Sequence, residues 1–370
     1  MLCIAVSYVV MIIAVAVSSG FRNEIRKGVA GISGDIQLTP PNLNVLDTSR
    51  PVRWDAAYLG KVKEVEGVRS VLPVIYRAGI IRENGDIHGV LFKGVDSVKD
   101  TVPFGISIPE RLSRMSGLGT GDRMNAYFVG EKVRVRQFNI TSVYDAPVEA
   151  DGHLVVYADI DDLRRVEGWT AGQASAIEII LEDDHRTDED VTAITQEVGS
   201  LVNAYSSDSD SPVVAVSVLS KYPQLFGWLD LIDFNVLFIL VLMTIVAGFN
   251  MISGLLIMLF ENISTIGLLK ALGMTDRAIS KVFLSSSAVL VLKGMLIGNA
   301  VAFGFCLFQE KTHLLKLDPA NYFVSFVPVN LDMGAVVAAD MMAFAVIMLL
   351  LLIPTLFIAR VDPAQTVRLK

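Results

Sequence analysis

The sequence lacks the motifs on which most hydrolytic enzymes depend. No GxxxxGK[ST] phosphate-binding loop, HExxH pair or GxSxG motif occurs in it. Its histidines are scattered along the chain: His88, His153, His185 and His313. These absences exclude ATP hydrolysis by a P-loop, a zincin-type metal site and an α/β-hydrolase nucleophile. We therefore expect a chain that is not an enzyme and that binds no cofactor and no metal itself.

Cysteine and charge are also scarce. The two cysteines are Cys3 and Cys306, and charged residues make up 19% of the chain against 52% hydrophobic residues. The formal net charge of −8 argues against nucleic-acid binding, which needs a basic surface. Long apolar runs are abundant instead, and each of them approaches or exceeds the roughly 20 helical residues that cross a bilayer. The four runs are Leu2–Ser19, Ile232–Leu259, Val282–Phe308 and Ala335–Ile358.

A segment of ordinary globular composition, residues 21–231, separates the first two runs. It contains no cysteine, which is compatible with an oxidising compartment. We therefore predict a membrane α-helical protein with four transmembrane helices. A large α+β extracytoplasmic (periplasmic) domain would lie between the first and second of these helices.

Basic residues set the expected orientation. The segment 260–281 and the tail 359–370 carry an excess of lysine and arginine, whereas the loop 309–334 does not. The positive-inside rule then places segment and tail in the cytosol, and the loop and the 21–231 domain in the periplasm. Arg22, Arg26 and Lys27 disagree, because they follow the first span on its outer side.

The first span, residues 1–20, has an alternative interpretation as a signal peptide ending near AVSSG. We favour a membrane helix, because the apolar run is longer than a usual signal core and no basic residue precedes it. Since the run begins at the first residue, we expect the natural chain to start upstream.

Periodicity predicts the elements of the outer domain. Strands are predicted over 34–39, 68–81, 87–94, 121–144, 153–157, 176–181 and 212–218, and helices over 54–66, 109–115, 160–166 and from 188. We expect two lobes, with a β-rich sub-lobe at about 100–150 inserted into the other. The acidic cluster 182–190 is interpreted as the start of a helix capped by Thr187 rather than as a metal site. Lys132, Arg134 and Arg136 are interpreted as a solvated strand face rather than an anion site.

Two charged residues, Lys293 and Asp340, fall within predicted spans. Each costs a few kcal/mol there unless it is paired or hydrated. One interpretation is a Lys293–Asp340 contact, or a polar patch that meets a lipid headgroup; the other is snorkelling of the lysine. In the third span, Gly294 and Gly298 form a GxxxG pattern, which is typical of close helix packing within or between subunits.

The stretch ENISTIGLLKALGMTDRAISKVF, residues 261–283, is a short amphipathic element between two spans. Helical spacing places its apolar residues mostly along one side: Ile263, Ile266, Leu269, Ala271 and Leu272. Gly267 and Gly273 permit close approach and a turn. Such a helix either anchors in the membrane interface or docks in a groove of another protein, and the residues alone favour neither.

This stretch resembles the cytosolic loop of FtsX-like permeases, whose pattern runs E…EIG-LKALGA…I…F. The tail IPTLFIARVDPAQTVRL is similar to the closing motif of that family at Pro354, Arg360, Asp362 and Pro363. One span, a large outer domain and three further spans also fit the family. The early GDIQLTP resembles a MacB-like periplasmic core domain, and VRSVLPVIYRAGIIRENGDIHGVLFKGVD resembles the lipoprotein-releasing subunits LolC and LolE. Departures are Ser264-Thr265, in place of an acidic residue, and Leu356-Phe357, in place of a basic pair.

The resemblance implies an ABC transporter permease, one of a homo- or heterodimeric pair that works with a LolD-like ATPase dimer holding ATP and Mg²⁺. The segment 260–281 would be the coupling helix, which receives motion from that ATPase (mechanotransmission). The residues implied in coupling are Glu261, Ile266, Gly267, Leu269, Lys270, Gly273 and Met274.

The implied cargo is an acylated lipoprotein. It would be released from the Gram-negative inner membrane toward a LolA-like periplasmic carrier. The alternatives are a MacB-like exporter of peptides or other amphiphiles, and an FtsX-like signalling scaffold that transports nothing.

Overall fold

The computed structural model describes residues 2–41, 51–83, 86–96, 102–128, 133–145, 154–207, 210–318 and 322–358. The helices are α1 (Leu2–Ser33), α2 (Tyr58–Val62), α3 (Glu110–Ser116), α4 (Ile160–Glu167), α5 (Asp188–Tyr205), α6 (Val218–Lys221), α7 (Pro223–Glu261), α8 (Ile263–Ala271), α9 (Asp276–Thr312), α10 (Met333–Leu350) and α11 (Leu352–Ile358). The strands are β1 (Ile36–Thr39), β2 (Val52–Arg53), β3 (Val68–Glu83), β4 (Asp86–Val95), β5 (Gly105–Pro109), β6 (Arg123–Phe128), β7 (Arg134–Tyr144), β8 (Leu154–Asp159), β9 (Gln173–Ala174), β10 (Ala176–Leu181) and β11 (Val214–Ser217).

The described residues fall into two compact units. The membrane unit comprises Met1–Asn23, Gly227–Lys316 and Phe326–Lys370, and the outer unit comprises Glu24–Phe226 and Leu317–Ser325. Helices α1 and α7 belong to both, because each continues without a break across a boundary between them.

The prediction of four apolar helices is confirmed. Helices α1, α7 and α9 and the segment Met333–Thr355 are long and apolar enough to cross a membrane. Helix α1 runs on to Ser33, well past its apolar run, because Phe21, Ile25 and Val29 continue a buried stripe at a spacing of four residues. On α7, Phe234, Phe238, Phe249 and Phe260 are exposed, as expected of side chains that face lipid.

The core of the membrane unit is formed by α1, α7, α8, α9 and α10. Ile4 and Tyr8 of α1 pack with Met251 of α7, Val291 of α9 and Ile347 of α10, all of them buried. The short helix α8 belongs to the same core. The segment between α7 and α9 is therefore fixed to the spans by apolar packing.

The outer unit contains a nine-stranded sheet in the order β11–β1–β10–β3–β4–β8–β5–β7–β6. The pairs β4–β8 and β5–β7 are parallel, and the others are antiparallel. Strand β3 also pairs with β6, through Ile80 opposite Tyr127. Because of this second pairing, β3, β4, β8, β5, β7 and β6 close on themselves in a six-stranded ring.

Two hydrophobic cores stabilise the outer unit. One lies among the ring strands and α3 and α4, where the rings of Phe92 and Phe138 stack 5.0 Å apart. The other packs α2 and α5 on β1, β10 and the first part of β3. The ring core draws on β3, β4 and β8 as well as on residues 100–150, so it is larger than the sub-lobe that we expected.

One predicted helix of this unit is wrong in extent. We expected a helix over 54–66, and α2 occupies only Tyr58–Val62. Arg53 pairs with Asp55 in a local turn at one end, with Nη2 and Oδ2 2.9 Å apart. At the other end the chain turns at Gly67, whose φ is +83°. The helix from 188 is confirmed as α5, and the Thr187 side chain accepts the Asp190 N–H at 3.2 Å.

Candidate coupling site

The connection between α7 and α9 is a compact turn built around α8. Gly273 has a φ of +91°, and its N–H donates to the carbonyl oxygen of Lys270 at 2.9 Å. The N–H of Met274 donates to Leu269 at 3.0 Å. Since glycine adopts a left-handed conformation without a steric penalty, the turn depends on Gly273.

Most of the predicted coupling residues face the helical bundle. Ile266 and Gly267 are buried, and Leu269 and Met274 pack against the membrane-unit core. The Nζ atom of Lys270 lies 2.8 Å from Oδ1 of Asp276, and its side chain is only 10% exposed. These five residues hold α8 against the spans, so the surface that a partner would meet consists of other residues.

That surface carries two leucines that the sequence analysis missed as a pair. Leu268 is 56% exposed and Leu272 is 77% exposed. Glu261 and Gly273 are exposed beside them. We call Leu268, Leu272, Glu261 and Gly273 the coupling surface. The spacing of four residues between the leucines, on the side away from Ile266, was the signal that could have identified it.

Of the interpretations given for Lys293, the contact with Asp340 is wrong, whereas the headgroup contact and snorkelling stay predictions. Asp340 is buried and accepts a hydrogen bond from Nδ2 of Asn299 at 2.5 Å, whereas Lys293 is exposed on α9. Lys293 and Asn299 are six residues apart, which turns their side chains by about 240° around the helix. Asn299 therefore faces α10, whereas Lys293 points away from it.

Gly294 and Gly298 pack against α1 within the same chain. A Cβ atom at Gly294 would lie 2.8 Å from Cγ2 of Ile4, and one at Gly298 would lie 2.8 Å from the carbonyl oxygen of Ala5. These distances leave no room for a side chain. The GxxxG pattern is therefore the surface of α9 on which α1 packs closely.

The closing motif is described only in part. Pro354 is buried in α11, whereas Arg360, Asp362 and Pro363 lie outside the described residues. Their role stays a prediction.

Carboxylates pair with two of the three basic residues that disagreed with the positive-inside rule, Arg22 and Arg26. Within the membrane unit, Arg22 places Nε 2.9 Å from Asp233 and Nη2 2.7 Å from Asp230. Within the outer unit, Arg26 contacts the carboxylate of Asp188. Both arginines therefore have carboxylate partners within their own unit.

The part of the chain that contains the coupling surface matches a known protein family. Residues 237–363, which contain α8 and the coupling surface, match the FtsX family, described as FtsX-like permease C-terminal. The chain carries an FtsX-like permease domain. This permease domain includes α7 from residue 237 onward and the whole of α8, α9, α10 and α11.

Similarity to curated proteins extends over nearly the whole chain. It is 20% identical to the lipoprotein-releasing system transmembrane protein LolC of Neisseria meningitidis serogroup B, over 99% of this chain and 92% of that protein. It is 22% identical to LolC of Xylella fastidiosa strain Temecula1 and 23% identical to that of strain 9a5c, with the same coverage. The chain is thus a multi-pass permease subunit of an ABC transporter, a class that works with an ATPase partner.

The solved structures that this chain resembles are periplasmic or extracellular domains. The periplasmic region of MacB from Actinobacillus actinomycetemcomitans matches 52% of this chain and 92% of its own, with 12% identity and a TM-score of 0.33. The extracellular domain of YknZ from Gram-positive bacteria matches 49% of this chain and 98% of its own, with 12% identity and a TM-score of 0.31.

Proposed function

We propose that this chain releases acylated lipoproteins from the Gram-negative inner membrane toward a LolA-like periplasmic carrier. The observation that carries the proposal is the similarity to LolC proteins over 99% of the chain, outer domain and spans together. The chain would be non-catalytic and bind no cofactor. A LolD-like ATPase dimer would supply ATP hydrolysis to a pair of permease subunits, either identical or sister chains.

Energetics support a motor-driven mechanism. Each acyl CH₂ group that leaves the bilayer costs about 0.8 kcal/mol, so that several acyl chains cost tens of kcal/mol. Spontaneous release would be negligible at that cost. An ATPase partner would supply this work, and we place its contact at the coupling surface, which flanks and includes part of α8.

The coupling surface suits a groove on the ATPase. An exposed helix with two leucines spaced by four residues presents a ridge of the kind that binds in an apolar groove. The inward residues of α8 hold this ridge to the spans. A push on the ridge would consequently move α7 and α9 rather than bend a loose loop.

Leu272→Asp is expected to weaken binding of the ATPase subunit about tenfold or more. Burial of a leucine contributes about 1.5–3 kcal/mol, and 1.4 kcal/mol is a factor of ten in affinity. Binding is measured with the purified full chain in nanodiscs and titrated ATPase. Leu314→Asp is the matched control, because Leu314 is 65% exposed in the loop predicted on the opposite side of the membrane. Equal affinity of the two variants would contradict docking at this surface.

Depletion of the chain tests the cargo. We expect lipoproteins that belong in the outer membrane to accumulate in the inner membrane, as measured by fractionation and immunoblotting. Integral outer-membrane β-barrel proteins, followed in the same fractions, control for a general envelope defect. Lipoproteins that reach the outer membrane in normal amounts would rule out lipoprotein release while leaving the permease assignment intact.

A further inference from the structure

A cleft opens in the outer unit at the end of the nine-stranded sheet. Strand β11 is the end strand among the described strands, and we call the space beside it the β11 cleft. Its volume of about 360 Å³ lies within the roughly 300–1,000 Å³ of small-molecule pockets. The polar residues that line it come from β1, α5, β11 and α6: Gln37, Thr39, Thr195, Ser217, Ser220 and Lys221. The cleft is therefore polar and large enough for a small molecule.

Gln37 is a buried polar residue of this cleft. Its neighbours Ile36 and Leu38 pack in the core formed with α2 and α5, and successive side chains of a strand point to opposite faces. Gln37 therefore points away from that core, yet its side chain is only 2% exposed. A glutamine that is buried in this way needs hydrogen-bond partners for both its oxygen and its amide nitrogen.

A contact with Lys221 fixes the orientation of the Gln37 amide. The Nζ atom of Lys221 lies 2.8 Å from Oε1 of Gln37, and an ammonium group can only donate hydrogen bonds. The amide oxygen must therefore face Lys221, so that Nε2 points elsewhere. Nε2 is buried and has no hydrogen-bond partner among the described residues. Because a buried donor without a partner is costly, this atom favours a ligand that accepts hydrogen bonds.

Aromatic contacts hold Lys221 in place at the cleft. Its Nζ atom lies 5.5 Å from the ring centroid of Tyr76 and 5.6 Å from that of Tyr222. Both distances are within the range of cation–π interactions. Together with the bond to Gln37, these contacts fix a positive charge close to the Nε2 donor.

The charge of the cleft favours an anionic ligand. Among the described residues that line it, Lys221 is the only one with a charged side chain. Glu178 lies opposite Gln37 on β10, and its carboxylate is paired with Nζ of Lys93 at 2.9 Å. Ser220 can add a hydroxyl donor. The cleft thus offers an ammonium group, an amide N–H and a hydroxyl group to the oxygen atoms of an anion.

We propose that the β11 cleft binds the phosphoryl group of a small phosphate ester, with Lys221 and Gln37 as the residues that bind it. A phosphoryl group carries several acceptor oxygens and a negative charge, which match an ammonium group beside N–H and O–H donors. The hydroxyl groups of Thr39 and Thr195 line the same cleft and suit a ligand that carries hydroxyl groups of its own. This site does not depend on the cargo proposed above.

Binding of glycerol 3-phosphate to the full chain, in a maltoside detergent and phosphate-free buffer, tests this proposal. A ligand of the folded state raises the midpoint of thermal unfolding, and calorimetric titration gives the dissociation constant. We expect Lys221→Met and Gln37→Glu each to weaken binding at least about tenfold, the effect of losing one hydrogen bond to a charged group. Gln37→Glu keeps the size of the side chain and a partner for Lys221, but it replaces the Nε2 donor by an oxygen that repels phosphate.

Lys61→Met is the matched control, because it removes a lysine of the same unit that does not line the cleft. Lys61 lies on α2, and its Nζ atom is 3.0 Å from Oε2 of Glu64. We expect this variant to bind glycerol 3-phosphate as the wild type does. Equal losses in the two lysine variants would reveal a general effect of charge and would overturn the site. If Lys221→Met does not fold, Gln37→Glu decides the outcome.

Two further probes identify the source of the phosphoryl group. Dihexanoyl-phosphatidylglycerol carries a glycerophosphate group on a lipid: if it binds more tightly than glycerol 3-phosphate, the ligand is a lipid headgroup, and if it binds less tightly, the ligand is a free phosphate ester. Glycerate carries a carboxylate in place of the phosphate, and binding as tight as that of glycerol 3-phosphate would overturn the preference for a phosphoryl group. The site itself would be overturned if the wild type bound neither phosphate probe, or if a folded Gln37→Glu variant bound them as tightly as the wild type.

Discussion

Gly298→Val is expected to separate α9 from α1 and to leave little folded protein in the membrane. A Cβ atom at this position would lie 2.7 Å from Cβ of Tyr8 and 2.8 Å from the carbonyl oxygen of Ala5. Because a backbone oxygen cannot rotate away as a flexible side chain can, the helices themselves must move apart. Overpacking costs about 1–3 kcal/mol in well-packed cores, and we expect the upper end here. The measurement is the yield of monodisperse protein in detergent, together with its midpoint of thermal unfolding.

The same helix provides the control for this prediction. A Cβ atom at Gly304 would have no neighbour within 4 Å, so Gly304→Val changes helix propensity by a similar amount without a clash. We expect its yield and unfolding midpoint to stay close to those of the wild type. Similar losses in the two variants would mean that valine in α9 itself, rather than a clash between α9 and α1, lowers the yield and the unfolding midpoint.

Gly273→Pro is expected to abolish stimulation of the ATPase while the outer unit stays folded. Proline fixes φ near −65°, whereas Gly273 has a φ of +91° and donates its N–H to Lys270. Proline would therefore lose the turn and its hydrogen bond together, and the coupling surface would no longer be held against the spans. ATP hydrolysis by the assembled complex measures the effect, and limited proteolysis reports on the outer unit.

A graded series strengthens this prediction. Asparagine enters the left-handed region more readily than other non-glycine residues, whereas a β-branched residue is strongly disfavoured there. Gly273→Asn is therefore expected to retain most of the stimulated hydrolysis, and Gly273→Val to lose most of it. A fully active proline variant, or activities that ignore this order, would count against a coupling role for the turn.

Patterns within single elements made much of the fold predictable. The apolar runs identified the four long helices, because a span must be apolar over most of its length. Alternation identified β3, β4 and β10, whose inward residues fill the two cores. The closure of six strands into a ring was not predictable in this way, because the β3–β6 pairing joins Ile80 to Tyr127, far apart in sequence.

The candidate site was harder to predict, because it depends on which face of a helix meets the bundle. Apolar residues surround α8 on several sides, so spacing alone placed Ile266 and Leu272 together; the structure buries the first and exposes the second. The buried polar cluster of Lys93, Tyr76 and Glu178 was also missed. Lys93 and Glu178 come from different strands, and each alone looks like an ordinary surface residue of a half-buried strand.

The closed ring of the outer unit has a consequence for aggregation. Exposed strand edges are templates for pairing between chains. In the ring, each of the six strands has a neighbouring strand on both sides. Among the described strands of the nine-stranded sheet, the end outside the ring is β11, which spans only Val214–Ser217. Copies of the outer unit therefore present little strand edge on which intermolecular sheets, and hence aggregates, could nucleate.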